Sequence, residues 1–310
     1  MLLALGPYAQ LNNKQKQYTI SMVTVFVSTV FFNILACFVF KNGMFGVGLA
    51  SSLSFAIGLL LLYLLCLIKS NLFKLRLRLV KFSYIASVLR EGFMNFINLG
   101  AIALFTMVFN WYLGAFGSVE AIAGFSIIHN LLNLCSTASS GISSITSSLS
   151  SIFYAEKDRE SLIGVLRVSQ KYMLISSVII VIVFFALAEF MVSIFIDPAS
   201  PTGQYGIFNM RVSIFFILFS SQLITLKRYY QVIGRKAYVV FIAVSQNFVF
   251  RCIFLAIFHV AAPEEFLYLF YVLPEVVVLT VCYVVAMISA RRFSFRQEVL
   301  AFLPLGFGKE

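Results

Sequence analysis

Residues 18–40 read YTISMVTVFVSTVFFNILACFVF, a stretch that contains no charged side chain. A helix needs about 20 consecutive apolar residues to cross the hydrocarbon core of a bilayer, and this stretch is long enough. Seven further stretches meet the same requirement, at residues 45–68, 92–113, 121–152, 168–196, 207–226, 238–260 and 266–290. The sequence therefore predicts an all-α integral membrane protein with eight transmembrane helices.

The overall composition agrees with this class. Of the 310 residues, 61% are hydrophobic and only 11% are charged. A soluble domain carries about 25% charged residues, which it needs to cover a surface in water. A surface in contact with lipid has the opposite requirement, because each exposed charge there raises the free energy. A soluble globular protein is thereby excluded.

Basic residues are concentrated at the two ends of the chain and in every second gap between the apolar stretches. The net charge is +11, and Lys and Arg cluster at residues 14–16, 69–90, 157–167, 227–236 and 291–309. Cytoplasmic loops carry an excess of Lys and Arg, so we expect a multi-pass protein of the cell membrane with both termini in the cytoplasm. An even number of spans requires the same arrangement. We expect the positive charge to contact anionic headgroups of the lipid bilayer, and we expect no nucleic-acid partner.

The longest basic gap divides the chain. Its core, Lys74-Leu-Arg-Leu-Arg-Leu79, alternates with a period of two residues, which is not the period of a helix. We expect residues 69–91 to form a basic cytoplasmic linker, with two transmembrane helices before it at 1–68 and six after it at 92–290. Residues 291–310 are expected to form a cytoplasmic tail.

Several short motifs follow one another along the chain. They are Gly43-Met-Phe-Gly46, Gly141-Ile-Ser143, Tyr154-Ala-Glu-Lys157, Phe195-Ile-Asp-Pro198 and Gln231-Val-Ile-Gly-Arg235. In their order and spacing the chain resembles the multidrug and toxic compound extrusion (MATE) family, from the fifth to the twelfth of that family's twelve helices. The resemblance implies one complete six-helix lobe at residues 92–290, preceded at 1–68 by the last two helices of the other lobe in an N-terminally truncated chain.

The function that the resemblance implies is secondary active transport. Family members are efflux antiporters that exchange H+ or Na+ for amphipathic, often cationic, organic compounds. Two departures limit what is transferred: Ser148 stands where the family's eighth helix usually has a proline, and the third and sixth apolar stretches contain no acidic residue. The sodium-binding carboxylates of some members therefore have no counterpart in these stretches. The resemblance implies small organic cations as substrates, H+ or Na+ as the coupling ion and no other cofactor.

Two opposite charges lie at similar depth in the last two apolar stretches. Arg251 and Glu275 are well inside residues 238–260 and 266–290, and the two helices run antiparallel. An isolated charge at mid-bilayer costs about 2.5–3.5 kcal/mol on insertion scales, so we expect the two side chains to touch. The pair either rearranges when a proton or a substrate binds, or holds two helices in register as a static pair. The sequence slightly favours the static pair.

The fourth apolar stretch is the least apolar of the eight. Its serines recur every four residues in two rows, Ser136, Ser140, Ser144 and Ser148, and Ser139, Ser143, Ser147 and Ser151. At 3.6 residues per turn the two rows lie side by side. Such a stripe either lines a water-filled substrate cavity or lets two helix backbones approach closely. A histidine and two asparagines lie above it on the same helix, although a lone histidine is more often a satisfied hydrogen-bonding group than a proton carrier. The candidate cavity residues are His129, Asn130, Asn133, Ser136, Ser140 and Ser144.

Other kinds of site lack the residues that they need. The five cysteines form no CxxC motif and the chain has only two histidines, so we expect no metal site. Because the sequence also has no nucleophile motif and no phosphate-binding loop, we expect no enzyme. Two alternatives to the antiporter stay open: a flippase for lipid-linked oligosaccharides of the same superfamily, and a membrane fragment that transports nothing. The flippase requires a strongly cationic cavity, and only Arg251 is counted here as a cation within the membrane. The sequence leaves the oligomeric state open.

Overall fold

The structure is a computed structural model that describes residues 14–40, 43–67, 82–116, 119–261 and 268–292. Residues 1–13, residues 69–81 of the expected linker and most of the expected tail lie outside these ranges. The chain divides into two compact units, Met1–Ile85 and Ala86–Glu310, which we call unit 1 and unit 2.

Unit 1 is a pair of apolar helices. Helix α1 spans Gln15–Ile34 and continues as a π-turn at Leu35–Val39, and helix α2 spans Gly43–Leu67. The two helices pack on each other around buried Val25 and Leu62. Much of their outer surface is apolar, as at Phe38, which is 77% exposed. Such a surface suits lipid, because the hydrocarbon core imposes no cost on exposed apolar side chains.

Unit 2 is a bundle of helices arranged around one central helix. Its helices are α3 (Phe82–Phe116), α4 (Val119–Ala155), α5 (Arg159–Ala186), α6 (Ala188–Ser193), α7 (Pro201–Ser213), α8 (Phe216–Val232), α9 (Lys236–Val244), α10 (Phe250–Ala261) and α11 (Val272–Arg292). Helix α8 is central, because it packs against α4, α5, α9 and α11. Since α3 begins at Phe82, residues 82–91 of the segment that we assigned to the linker are helical.

Local sequence signals set the ends of several helices in unit 2. Asp158 caps α5, where its carboxylate accepts a hydrogen bond from the backbone N–H of Ser161 at 3.1 Å. Hydrogen bonding by Ser161 favours the charged carboxylate and lowers the pKa of Asp158. Ser200 caps α7 in the same way, with Pro201 in its first turn. Gly234 has φ +78° in the turn between α8 and α9, a conformation that glycine adopts without steric cost.

Two of the spans in unit 2 are irregular. Helices α9 and α10 are joined by a π-turn at Ser245–Val249, whose widened ladder includes a hydrogen bond from the Phe250 N–H to the Ser245 carbonyl. Helices α7 and α8 form one bent pair, with an angle of 42° between Gly203–Ser213 and Phe216–Val232. Both features place polar residues where a regular helix would not.

The chain is a multi-pass helical membrane protein, but the expected count of eight spans is not confirmed. Among the described residues, six helices are long and apolar enough to cross a membrane, or seven if the bent pair forms one span. Helix α4 covers the fourth expected span and is not among them. This helix is 37 residues long and carries the two serine rows.

A candidate substrate cavity in unit 2

A cavity of about 250 Å³ lies inside unit 2, enclosed mainly by α3, α4, α8 and the α9–α10 segment. From α3 and α4 it is lined by Met94, Asn95, Asn98, Ile102, His129, Leu132, Asn133, Ser136 and Ser140. From the later helices it is lined by Phe216, Ser220, Ile224, Lys227, Arg228, Gln231, Val239, Gln246, Asn247, Arg251 and Tyr271. Spacings of three and four residues recur on α3, α4 and α8, because such residues share one helix face.

A hydrogen-bonded network joins three helical segments at one end of the cavity. The ammonium group of Lys227 donates to Asn98 Oδ1 at 3.3 Å and to Gln246 Oε1 at 3.0 Å. The side-chain amide of Asn247 donates to the same Asn98 oxygen at 3.2 Å. Lys227 comes from α8, Asn98 from α3, and the other two residues from the π-turn. The π-turn thus contributes two adjacent amides to one network.

Arg251 and Glu275 are in contact. Their closest atoms, Arg251 Nη2 and Glu275 Oε1, are 3.1 Å apart, and the two residues are only 5% and 0% exposed. The guanidinium group also lies over the rings of Phe105 and Tyr271, at 5.5 and 5.3 Å from their centroids. Within the described ranges, Glu275 Oε2 and Arg251 Nε have no hydrogen-bond partner. The contact between Arg251 and Glu275 was therefore correctly predicted from their similar depth in the membrane. The role of the pair in coupling stays a prediction.

The candidate residues on α4 divide by helix face. His129, Asn133, Ser136 and Ser140 line the cavity. The ring nitrogen Nδ1 of His129 lies 2.9 Å from the hydroxyl of Tyr271, so this histidine has a partner.

The other two α4 candidates are exposed and are not among the lining residues. Asn130 donates to the Ser126 carbonyl at 2.9 Å, and Ser144 donates to the Ser140 carbonyl at 2.9 Å. The reason for Asn130 is geometric, because consecutive helical residues point about 100° apart. The binding of substrate by any of the six candidates stays a prediction.

The two serine rows of α4 have different surroundings. In the first row, Ser136 and Ser140 face the cavity. In the second row, the hydroxyl of Ser139 lies 2.8 Å from that of Ser221 on α8. Near this row, Thr146 donates to Ser169 on α5 at 2.8 Å. One row thus borders the cavity and Ser139 of the other contacts α8, and the binding of substrate by the stripe stays a prediction.

Sequence reasoning missed two basic residues of the cavity. We ended the sixth span at residue 226 and counted Lys227 and Arg228 as loop residues, but α8 continues to Val232. The signal was present in the spacing, because Ser220, Ile224 and Lys227 follow one another at helical intervals and line the cavity together. Among the described residues, the lining therefore carries three basic side chains and no acidic one. In the described part of the chain, no group of three metal-binding side chains lies close enough to hold an ion.

Comparison with known proteins places the chain in a family. The model of the MatE family matches residues 96–257, which is more than half of the chain. No curated protein is significantly similar to the chain in sequence.

Several solved transporter structures share the fold. One is an outward-facing multidrug resistance MATE family transporter of the MOP superfamily, with a TM-score of 0.77 and 16% identity over 93% of this chain and 63% of that one. Another is a MATE in the straight conformation, with a TM-score of 0.77 and 16% identity over 93% and 64%. A third is a MOP superfamily transporter from Pyrococcus furiosus Vc1, described as having a binding pocket of reverse polarity, with a TM-score of 0.77 and 16% identity over 90% and 64%.

This chain spans less than two thirds of the length of those structures. At 16% identity they show the fold alone. The family rests on the match of the MatE model, which covers the greater part of unit 2. The chain therefore belongs to the MatE family, the multidrug and toxic compound extrusion family of membrane transporters.

Proposed function

We propose that the protein is a secondary active transporter that exchanges H+ or Na+ for small amphipathic organic compounds across the cell membrane, with its termini in the cytoplasm. The observation that carries this proposal is the cavity of unit 2, which combines polar and apolar walls beside a buried ion pair. Since the chain spans less than two thirds of the similar structures, the activity is proposed for the whole protein.

The walls of the cavity suit a molecule that is partly apolar. Ile102, Leu132 and Phe216 offer apolar surface, whereas Asn95 and Gln231 offer amide groups. Small-molecule sites commonly combine a mostly apolar lining with a few polar groups that fix orientation. Transporters of related bundles bind substrate near mid-membrane and expose it to either side by movement of a helical bundle. The resemblance implied cationic compounds, and the basic lining argues against a positive group at this position.

The pair of Arg251 and Glu275 is the proposed coupling element. Proton uptake by Glu275 removes its negative charge and weakens its hold on Arg251, which also lines the cavity. Release of Arg251 changes the cavity that it lines, and loss of the proton restores the pair. Binding of substrate and proton are coupled in this scheme because both act on one guanidinium group.

Transport in reconstituted vesicles tests the proposal. The purified chain in phosphatidylcholine vesicles should move ethidium, an organic cation, or carboxyfluorescein, an organic anion, faster than empty vesicles when a pH or Na+ gradient is imposed. If the pair is the proton-coupling element, Glu275→Gln should remove the pH-driven part. Glu189→Gln is the matched control, because Glu189 is an exposed residue of α6.

Two results would contradict parts of this proposal. If neither dye moves under any gradient, exchange transport by this chain is refuted. If Glu275→Gln transports as well as the unchanged chain, the pair is a static link between helices.

A flippase for lipid-linked oligosaccharides is the second candidate function. The observation that favours it is the presence of Lys227 and Arg228 beside Arg251, where sequence analysis counted Arg251 alone. A flippase should move a fluorescent lipid pyrophosphate between leaflets without an imposed ion gradient. Dithionite quenching of the label in the outer leaflet measures that movement, and empty vesicles are the control.

A further inference from the structure

We infer that the cavity of unit 2 binds an oxyanion group, a phosphate or a carboxylate, carried by an amphipathic substrate, with Lys227 and Arg228 as its principal anchors. The inference rests on the proposed transport function and specifies the charge of the compound. It reverses the charge that the sequence resemblance implied for the substrate.

The first support is the sign of the charge around the cavity. Lys227, Arg228 and Arg251 line it, and none of the lining residues that the structure describes is acidic. Glu275 lies behind Arg251 and offsets one of the three charges. Among the described residues, neither Lys227 nor Arg228 has a carboxylate within 4.0 Å. The cavity therefore keeps a positive excess, which attracts anions and repels cations.

The second support is that Lys227 has hydrogen-bonding capacity left over. An ammonium group has three donors, and two of them reach Asn98 and Gln246. Both acceptors are neutral amide oxygens, so they position the charge without neutralising it. A half-buried charge held this way is stabilised further when an anion enters, because burial of an unpaired charge is costly.

The third support is the guanidinium group of Arg251, which lines the cavity. Its Nη2 donates to Glu275 at 3.1 Å, and the group carries further N–H donors. A guanidinium group presents its N–H groups in a planar fork that matches the oxygens of a phosphate or a carboxylate. The N–H groups of Arg251 that do not face Glu275 can donate to a substrate oxygen.

Size and apolar lining indicate which part of a substrate fits. The cavity of about 250 Å³ is smaller than the roughly 300–1,000 Å³ of sites that hold whole drug-sized ligands. It suits a charged headgroup together with the first apolar atoms of its body. Leu132 and Phe216 provide the apolar wall for those atoms.

Equilibrium binding tests the inference directly. The full chain in phosphatidylcholine nanodiscs should bind carboxyfluorescein, read by fluorescence anisotropy, more tightly than ethidium. Lys227→Gln should weaken carboxyfluorescein binding by about tenfold or more, because it removes a charged hydrogen-bond donor. Lys227→Arg should retain most of the affinity. Lys171→Gln is the matched control, since Lys171 is an exposed residue of α5 outside the cavity.

A second variant keeps the test valid if Lys227→Gln fails to fold. Arg228 makes no hydrogen bond within the described residues, so Arg228→Gln disturbs no described contact. It should also weaken carboxyfluorescein binding. Tighter binding of ethidium than of carboxyfluorescein, or equal carboxyfluorescein binding by the folded variants and the unchanged chain, would overturn the inference.

Competition distinguishes two sources of the same oxyanion chemistry. If inorganic phosphate displaces carboxyfluorescein and phosphatidylglycerol in the nanodisc does not, the group belongs to a water-soluble substrate. If phosphatidylglycerol displaces it, the group belongs to a lipid. Either result supports an oxyanion site. If neither displaces it, while Lys227→Gln binds the dye unchanged, the site is not an oxyanion site.

The failure of this inference is separable from the failure of transport. If vesicles exchange ethidium and the chain binds no carboxyfluorescein, transport stands and the inference falls. If carboxyfluorescein binds through Lys227 and no compound crosses the vesicle membrane, the oxyanion site stands and the transport proposal falls.

Discussion

Two buried serines of unit 1 bond within their own helices, whereas a buried serine of unit 2 reaches another helix. In unit 1, Ser21 donates to the Gln17 carbonyl and Ser54 to the Ala50 carbonyl, each within its own helix. In unit 2, Ser139 reaches Ser221 on another helix, as His129 reaches Tyr271. A hydrogen bond that leaves its helix thus marks a contact between helices, whereas Ser136 and Ser140 line the cavity with hydrogen bonds that stay within α4.

The two π-turns show the same contrast. Leu35–Val39 in unit 1 has the apolar sequence LACFV and lies at the end of its helix. Ser245–Val249 in unit 2 has the sequence SQNFV, lies between two helices of one span and supplies Gln246 and Asn247 to the cavity. An irregular backbone therefore needs polar residues before it contributes to a site. The bulge in unit 2 meets that condition, which agrees with the frequent occurrence of π-bulges at functional sites.

Loss of the buried ion pair of unit 2 should have the largest effect on stability of the proposed substitutions. Glu275→Ala should destabilise the protein by about 3–5 kcal/mol, because it leaves the charge of Arg251 buried without its partner. The melting temperature in detergent, monitored by size-exclusion chromatography, measures the change in stability. Glu189→Ala, an exposed control on α6, should change little. Equal melting temperatures for the two variants would contradict a stabilising pair.

A larger side chain at the second serine row sharpens the contrast within α4. Ser139 is buried against α8, and Ser148 of the first row is exposed. Ser139→Leu should destabilise the protein by about 1–3 kcal/mol through overpacking. Ser148→Leu should have almost no effect by the same unfolding measurement. If both variants unfold alike, the second row does not pack closely.

Removal of single hydroxyl groups compares the two units directly. Ser139→Ala removes a hydrogen bond between helices and should cost about 0.6 kcal/mol, the average for such bonds in membranes. Ser54→Ala removes only a bond within α2 and should cost less. Chemical denaturation in mixed micelles resolves differences of this size when the unfolding free energies of the variants depend equally on denaturant concentration. A larger effect at Ser54 would reverse the contrast.

The smallest expected effect concerns the ends of the helices. Helix α1 has no side-chain cap, whereas Asp158 caps α5. Because the folded pKa of Asp158 is lowered, its contribution to stability is present above the unfolded-state pKa of about 3.9 and is lost as the pH falls through the folded pKa. Asp158→Asn keeps a capping oxygen that does not titrate. The melting temperature of the unchanged chain should therefore drop relative to this variant only below about pH 4.

Asp158→Ala is the control for the cap itself. It removes the capping oxygen and should lower the melting temperature at pH 7, whereas Asp158→Asn should not. A difference between the unchanged chain and Asp158→Asn that does not vary with pH would contradict the titration of this carboxylate.

Hydropathy and helix length were enough to predict most of the helices. The expected span at 45–68 corresponds to Gly43–Leu67, and the one at 238–260 to the segment from Lys236 to Ala261. Their existence follows from the free energy of transfer into lipid, which depends on composition. The antiparallel depth argument also brought Arg251 and Glu275 together.

Backbone irregularities and the basic wall of the cavity could not be obtained in the same way. The bend before Phe216 and the π-turn at Ser245 depend on packing between helices, which a hydropathy window does not contain. Lys227 was assigned to a loop because charge ends an apolar window, although a lysine is tolerated in a helix that faces a polar cavity. Asn130 was predicted to line the cavity because it is next to His129 in the sequence, but neighbours in sequence lie on different faces of a helix.

The π-turn at Ser245–Val249 also makes the ion pair sensitive to the length of the chain. A π-turn is equivalent to one residue inserted into an α-helix. A single-codon deletion there would restore the regular ladder and rotate α10 by about 100° relative to α9. Arg251 would then point away from Glu275, although neither codon had changed. Among relatives of this protein, insertions and deletions at this position are therefore as informative about the loss of the pair as substitutions of its two members.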